Sequence, residues 1–272
     1  MNITQENLEY ILQEYGPGAM LHSALQLLDN HRPEAAVPLF RFLAAHEPPV
    51  DPRFMGCAQN LLAFCLSNGL GAPEDHNEAV RWLRAAGQNG HTPALRELAR
   101  YYDPGSPLCA AAAPKNWVEA LHWYQEAARM GDVKAMLCLV DLYMEKKNPQ
   151  KAQEWLEKAA AHGSPDAVDF LGMALRTGES GMERNPQKAV AYLRQGMKMG
   201  LPHCYLFYAF YLGETGEIEE QERVAADLAA LMQVPLSQVL NEVQGEVQSP
   251  ELEERMSELR QQISREWSRK TE

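Results

Sequence analysis

No pair of cysteines in this chain has the spacing of a metal site or a redox motif. The five cysteines (Cys57, Cys65, Cys109, Cys138 and Cys204) form no CxxC or CxH pattern. Cys57 and Cys65 fall on one predicted helix about 12 Å apart, beyond the roughly 7 Å Cα reach of a disulfide. The odd count also suits reduced thiols, so the cysteines read as small buried hydrophobes. Long apolar runs are missing too. Nothing approaches the roughly 20 consecutive residues that cross a bilayer. The N-terminal stretch MNITQENLEYILQEYGPGAMLHSAL lacks a basic segment followed by an apolar one. A cytoplasmic location is the expectation. Basic charge is scarce: 25 Lys and Arg stand against 37 Asp and Glu, for a net charge of −12. That balance argues against a nucleic-acid backbone or an anionic membrane surface as partner.

Catalytic signatures are equally absent. HEPPVDP has no HExxH spacing, GPG and GLG are too short for a phosphate loop, and neither GxxxxGK[ST] nor GxSxG occurs. The histidines do not group at ligand spacing on one helix face: His91 and His162 flank turns, His122 lies beside Trp123, and His203 begins a helix. Acid pairs such as Asp166 and Asp169 read as surface residues. The chain is therefore expected to be no enzyme, with no catalytic residue, no metal and no cofactor.

What is present is one segment in four copies. DHNEAVRWLRAAGQNG from Asp75 returns as NWVEALHWYQEAARMG from Asn116, NPQKAQEWLEKAAAHG from Asn148 and NPQKAVAYLRQGMKMG from Asn185. Asp75, Asn116, Asn148 and Asn185 are N-cap acceptors for orphan amides. Glu78 and Glu119 stand where they could complete a capping box, while Pro149 and Pro186 take the first helical position. Ala79, Ala120, Ala152 and Ala189 permit close packing. Trp82, Trp123, Trp155 and Tyr192 read as the large anchors. Gly90, Gly131, Gly163 and Gly200 end the helix through a left-handed turn.

A preceding helix recurs as well, running from Ala58, Ala94, Ala135, Ala167 and Cys204. Leu62, Leu98, Leu139, Leu171 and Tyr208 follow one turn later, then Leu66, Tyr102, Tyr143, Leu175 and Leu212. Spacings of four and eight put these sets on one buried face. Beside them stand Ala63, Ala99, Val140, Gly172 and Ala209, small enough, Val140 apart, to let a neighbouring helix approach.

The combined pattern, A-x3-L-G-x2-Y, a loop of variable length, then D-x2-K-A-x2-W-x2-K-A-A-x2-G, resembles the Sel-one-like repeat, a relative of the tetratricopeptide repeat. It runs well over Cys57–Gly213 and weakly over Ala19–His46. Departures are Val140 for a small residue, Leu66, Leu175 and Leu212 for tyrosine, and Gly196 for alanine. The resemblance implies an all-α fold, a right-handed α/α solenoid of about five helical-pair repeats. It also implies a non-catalytic protein-binding scaffold of bacterial type. Residues 1–56 are expected to form an N-terminal helix and a degenerate first repeat, 57–216 the repeats, and 217–272 C-terminal capping helices. In the N-terminal part, Thr4–Tyr15 and Ala19–Asp29 read as helices separated by the GPG stop, and EPPVDP as a rigid connector. Toward the C terminus, Glu217–Met232 and Pro235–Val247 read as helices. After a cap at Ser249, a terminal helix carries Leu252, Met256, Leu259, Ile263 and Trp267 in a single stripe. Such a helix would close the exposed end of the stack.

By analogy with tetratricopeptide repeats, partner contacts fall two and six positions into each first helix. These are Asn60 and Phe64, Arg96 and Arg100, Leu137 and Asp141, Asp169 and Met173, and Leu206 and Phe210. Apolar groups beside an arginine pair suit a peptide or helix from another protein; the alternative is that Phe64 and Phe210 merely touch neighbouring helices. Asp103–Lys115, the longest insertion, is a second contact candidate or else filler. The run YLFYAFYL over 205–212 is aromatic around nearly the whole helix and must be covered on more than one side. Two readings of function result: a scaffold that binds a protein through its concave surface, or an immunity or adaptor protein that covers a bacterial effector or toxin. An acidic chain would suit a basic partner.

Overall fold

The computed structural model describes residues 4–47, 49–109, 115–245 and 250–271. It is all-α, with fourteen α-helices, one 3₁₀ turn and no strand among the described residues. The chain forms two compact units, Met1–Ala135 and Met136–Glu272. The first holds α1 (Gln5–Asp29), α2 (Pro33–Ala44), α3 (Pro52–Ser67), α4 (His76–Gln88), α5 (Thr92–Tyr102) and α6 (Trp117–Arg129). The unit boundary falls within α7 (Val133–Glu145). The second unit continues with α8 (Pro149–Ala161), α9 (Pro165–Thr177), the 3₁₀ turn Glu179–Gly181, α10 (Pro186–Lys198), α11 (Pro202–Thr215), α12 (Ile218–Met232), α13 (Leu236–Val243) and α14 (Pro250–Thr271). Within each unit successive helices pack on one another: α1 to α6 in turn, and α8 to α13 in turn. That is the layering of a helical-pair repeat.

The four caps sit where the repeats require. Asp75 Oδ1 accepts the Glu78 amide, Asn116 Oδ1 those of Val118 and Glu119, Asn148 Oδ1 that of Lys151 and Asn185 Oδ1 that of Lys188. The capping box is not closed. Instead each cap residue donates its own amide to the last core residue of the preceding helix: Asp75 to Leu66 at 3.0 Å, Asn116 to Tyr102 at 3.0 Å, Asn148 to Tyr143 at 2.9 Å and Asn185 to Leu175 at 2.7 Å. One backbone bond thus closes loops of four different lengths at a common point, and the register survives the insertions. Gly90, Gly131, Gly163 and Gly200 all have φ between 78° and 90°, the left-handed turn that favours glycine.

Packing corrects one expectation. Trp82, Trp123, Trp155 and Tyr192 are only half-buried, whereas the next residues, Leu83, Tyr124, Leu156 and Leu193, are buried. From Ala79 the same-face positions are four and seven on, so Ala79, Leu83 and Ala86 form the inner stripe and Trp82 lies at its edge. There its Nε1 donates to Glu78 at 3.0 Å; on Trp155 the Lys158 ammonium sits 3.7 Å from the ring centroid.

Smaller departures occur at the ends of elements. GPG does not separate two helices by a loop. Gly16, at φ +77°, is a one-residue break inside α1, and Pro17 opens the second half. The first repeat helix begins at Pro52 rather than Ala58, because Asp51 accepts the Arg53 amide at 2.9 Å and Pro52 fits the first turn. No residue from 201 to 213 is exposed, as the aromatic run required: α11 touches α9, α10, α12, α13 and α14. The expected cap at Ser249 lies outside the described residues.

Candidate functional site

In the first unit the neighbouring helices α3 and α5 bring Asn60, Phe64, Arg96 and Arg100 around one cleft of about 500 Å³. One turn separates Asn60 from Phe64 and Arg96 from Arg100, so each pair faces the same side of its helix. Leu61 and Ala63 of α3, Leu28 of α1 and Leu83 of α4 also line it. Phe64 is 49% exposed, so it is not absorbed by a neighbouring helix. The insertion after α5 reaches the same cleft through Leu108. Its described part is tied down: Asp103 accepts the Gly105 amide at 2.9 Å and the Tyr124 hydroxyl at 3.0 Å, and Cys109 donates its amide to Ser106. Residues 110–114 lie outside the described residues.

The cleft is less basic than its arginines suggest. Arg96 Nη1 meets Asp132 Oδ2 at 2.7 Å, with Asp132 nearly buried and its other oxygen capping α7 through the Ala135 amide. Glu97, between the two arginines in sequence, accepts from Arg100 Nη1 at 2.8 Å. Two cations are thus matched by two carboxylates. Burial, and then the Arg96 charge, push the nearby His91 below its ordinary pKa. A further polar group stands at the cleft, on residues that the repeat pattern does not mark. Ser67 Oγ and the Tyr101 hydroxyl are 2.6 Å apart, His76 Nδ1 lies 3.1 Å from the same hydroxyl, and His76 Nε2 is 2.9 Å from Glu74. Ser67 and Tyr101 line the cleft, and burial raises the Tyr101 pKa. This chain of bonds fixes α5 against α3. Ser67 and His76 lie outside every repeat position, so periodicity carried no signal for them.

In the second unit the expected contact residues do not form one open face. Leu137, Met173 and Phe210 are half-buried and Asp141 is exposed. Arg176 stands with its guanidinium 5.7 Å from the Phe210 ring centroid. Leu206 is 2% and Asp169 5% exposed, which removes both from an accessible surface. The reason is local. Leu206 sits on α11, which five helices surround, and Asp169 is covered by α14, whose Arg260 Nε stands 3.0 Å from its carboxylate. Among the described residues no group of three or more His, Cys, Asp or Glu stands together as a metal site. No helix among them is long and apolar enough to cross a membrane.

Stacked helical pairs with capped second helices define an α/α repeat protein. The Sel1 repeat family matches residues 58–91, 92–132, 135–164 and 165–201, and the chain belongs to it. It is 36% identical over 141 residues to NMB1327 of Neisseria meningitidis serogroup B, covering 50% of this chain and 28% of that protein. It is 28% identical over 158 residues to an exopolysaccharide production negative regulator of Rhizobium leguminosarum bv. viciae, covering 52% of this chain and 57% of the relative. The chain thus spans less than two thirds of either. Among solved structures, a Sel1 repeat protein of Oxalobacter formigenes superimposes with a TM-score of 0.54 at 28% identity, over 69% of this chain and 73% of that one. Sel1 repeat proteins are generally protein-interaction scaffolds.

Proposed function

We propose that this chain is a non-catalytic scaffold whose first unit holds a peptide or helix of a partner protein in the cleft between α3 and α5. The observation that carries the reading is Phe64, a large apolar side chain left 49% exposed at a cleft walled by Leu61, Leu108, Arg96 and Arg100. An aromatic anchor beside arginines is the usual make-up of an interaction hot spot. Because Glu97 and Asp132 already pair the arginines, recognition there is by shape and hydrogen bonding more than by net charge. Long-range attraction comes from the rest of the chain, whose net charge of −12 favours a basic protein. That charge supports the finer reading of a partner of the effector or toxin kind.

The test is affinity purification of the full chain from its native cells, with the partner identified by mass spectrometry, alongside Phe64→Asp and Arg100→Glu. Both sites are at least partly exposed, so folding is expected to survive, at a cost on the order of 1 kcal/mol. Loss of the same partner from both variants supports the cleft; undiminished capture by both refutes it.

A further inference from the structure

The terminal helix α14 does not sit where a capping helix belongs. A cap continues the stack, as α12 and α13 do on α11. Instead α14 crosses two layers, touching α11 and α9. His203 near the start of α11 lies 3.6 Å from Glu253. Near the start of α9, Asp166 accepts from Ser264 at 2.9 Å and lies 3.6 Å from Arg260, which also meets Asp169 at 3.0 Å. Ile263 and Trp267 lie beside Gly200 and Gly163, the turns that precede α11 and α9. This is the path of a peptide laid across successive first helices, and it covers Asp169, one of the positions at which a partner contact was expected.

The seating is also shallow. Only Leu252 and Met256 of α14 are buried among its described residues, against eight of the thirteen residues of α9. Yet the site beneath it is specific. Asp169 is buried, its partners are the Arg260 guanidinium and the Cys204 thiol at 3.5 Å, and a buried carboxylate left without a cation is costly. We infer that the α9–α11 face of the second unit is a helix-binding site, held in this chain by α14 as a built-in ligand and taken over by a partner's amphipathic helix of the same chemistry. That chemistry is an apolar stripe spaced as Leu252, Met256, Leu259, Ile263 and Trp267, with an arginine one residue after the third stripe position to meet Asp169. The site uses no residue of the α3–α5 cleft, so either can fail without the other.

The experiment uses the full chain and a fluorescein-labelled peptide of residues 250–271. In Met256→Asp/Arg260→Glu the chain's own helix is released, and the peptide is expected to bind this variant at least ~10-fold more tightly than wild type, because the occupied fraction of the site is freed. A second peptide, keeping only the five stripe residues and the arginine on an otherwise redesigned surface, should bind equally well, and lose binding when that arginine is Glu. Equal affinity for wild type and variant overturns the inference. So does no binding to a variant that still melts like wild type. Should the variant fail to fold, hydrogen exchange on the wild-type chain decides: α14 opening well before α9 and α11 supports a displaceable ligand, and equal protection makes α14 an integral part of the core.

Discussion

The Cys204 sulfur occupies the space that a β-carbon on Gly196 would need. In the three earlier repeats the corresponding pairs are Ala86 and Ala94, Ala127 and Ala135, and Ala159 and Ala167, all fully buried. The fourth repeat therefore carries a glycine facing a thiol where the other repeats carry two buried alanines, with the volume shifted from one helix to the other. The glycine that departs from the repeat pattern is half of a compensated pair.

Gly196→Ala is expected to destabilise the chain by ~1–3 kcal/mol through overpacking, and Cys204→Ala by about 1 kcal/mol through the space it empties. The double variant recreates the alanine pair of the other repeats and should recover at least ~0.5 kcal/mol relative to the sum of the single changes. Asp169 keeps Arg260 in every case. Urea denaturation of the four chains checks the cycle, and strict additivity would dismiss the compensation.

Leu83 and Trp82 separate the inner stripe from its edge. Leu83→Ala empties a buried site and should cost ~2–5 kcal/mol. Trp82→Ala removes a larger but half-buried side chain and should cost less. Thermal melts of the two variants rank them; a costlier Trp82→Ala would restore the tryptophans as the main anchors.

Thiol chemistry reports the same burial. Desolvation pushes the Cys65 thiol up to about 11, and burial followed by the Asp169 charge pushes Cys204 higher still. Since the thiolate is the reactive form, neither should react with a thiol reagent at neutral pH until the chain unfolds. Alkylation read by mass spectrometry, with and without denaturant, assigns each site. Rapid native labelling of Cys204 would contradict the packing around Gly196.

Glu78 links the second helix of the first full repeat to α2. The hydrogen bond from Arg41 is the main reason its carboxyl sits below its ordinary pKa of 4.5. A depressed carboxylate stabilises the fold above its unfolded pKa, and the contribution disappears as pH falls through the folded value. Between about pH 6 and pH 3, Glu78→Gln should therefore lose less stability than wild type. The Arg41 side chain is 45% exposed, so the difference should stay below ~1 kcal/mol. Denaturant midpoints at the two pH values measure it, and parallel losses would show the pair to be idle.

The sequence by itself determined the repeat. Cap, alanine, glycine and leucine positions are set by helical periodicity and by the backbone needs of helix ends, both of which act over a few residues, so Asn148 and Gly163 announce their roles in isolation. Part of the α3–α5 cleft was legible in the same way, because Asn60, Phe64, Arg96 and Arg100 follow from repeat position. Tertiary structure alone decided the rest. Asp132 neutralises Arg96 from thirty-six residues away, and Leu108 reaches the cleft from an insertion that obeys no repeat. The terminal stripe showed that α14 must cover something; only packing revealed that it crosses α9 and α11 and places Arg260 on Asp169. Charge and apolar surface find their partners through space, and a periodic pattern records which face is buried without recording what lies against it.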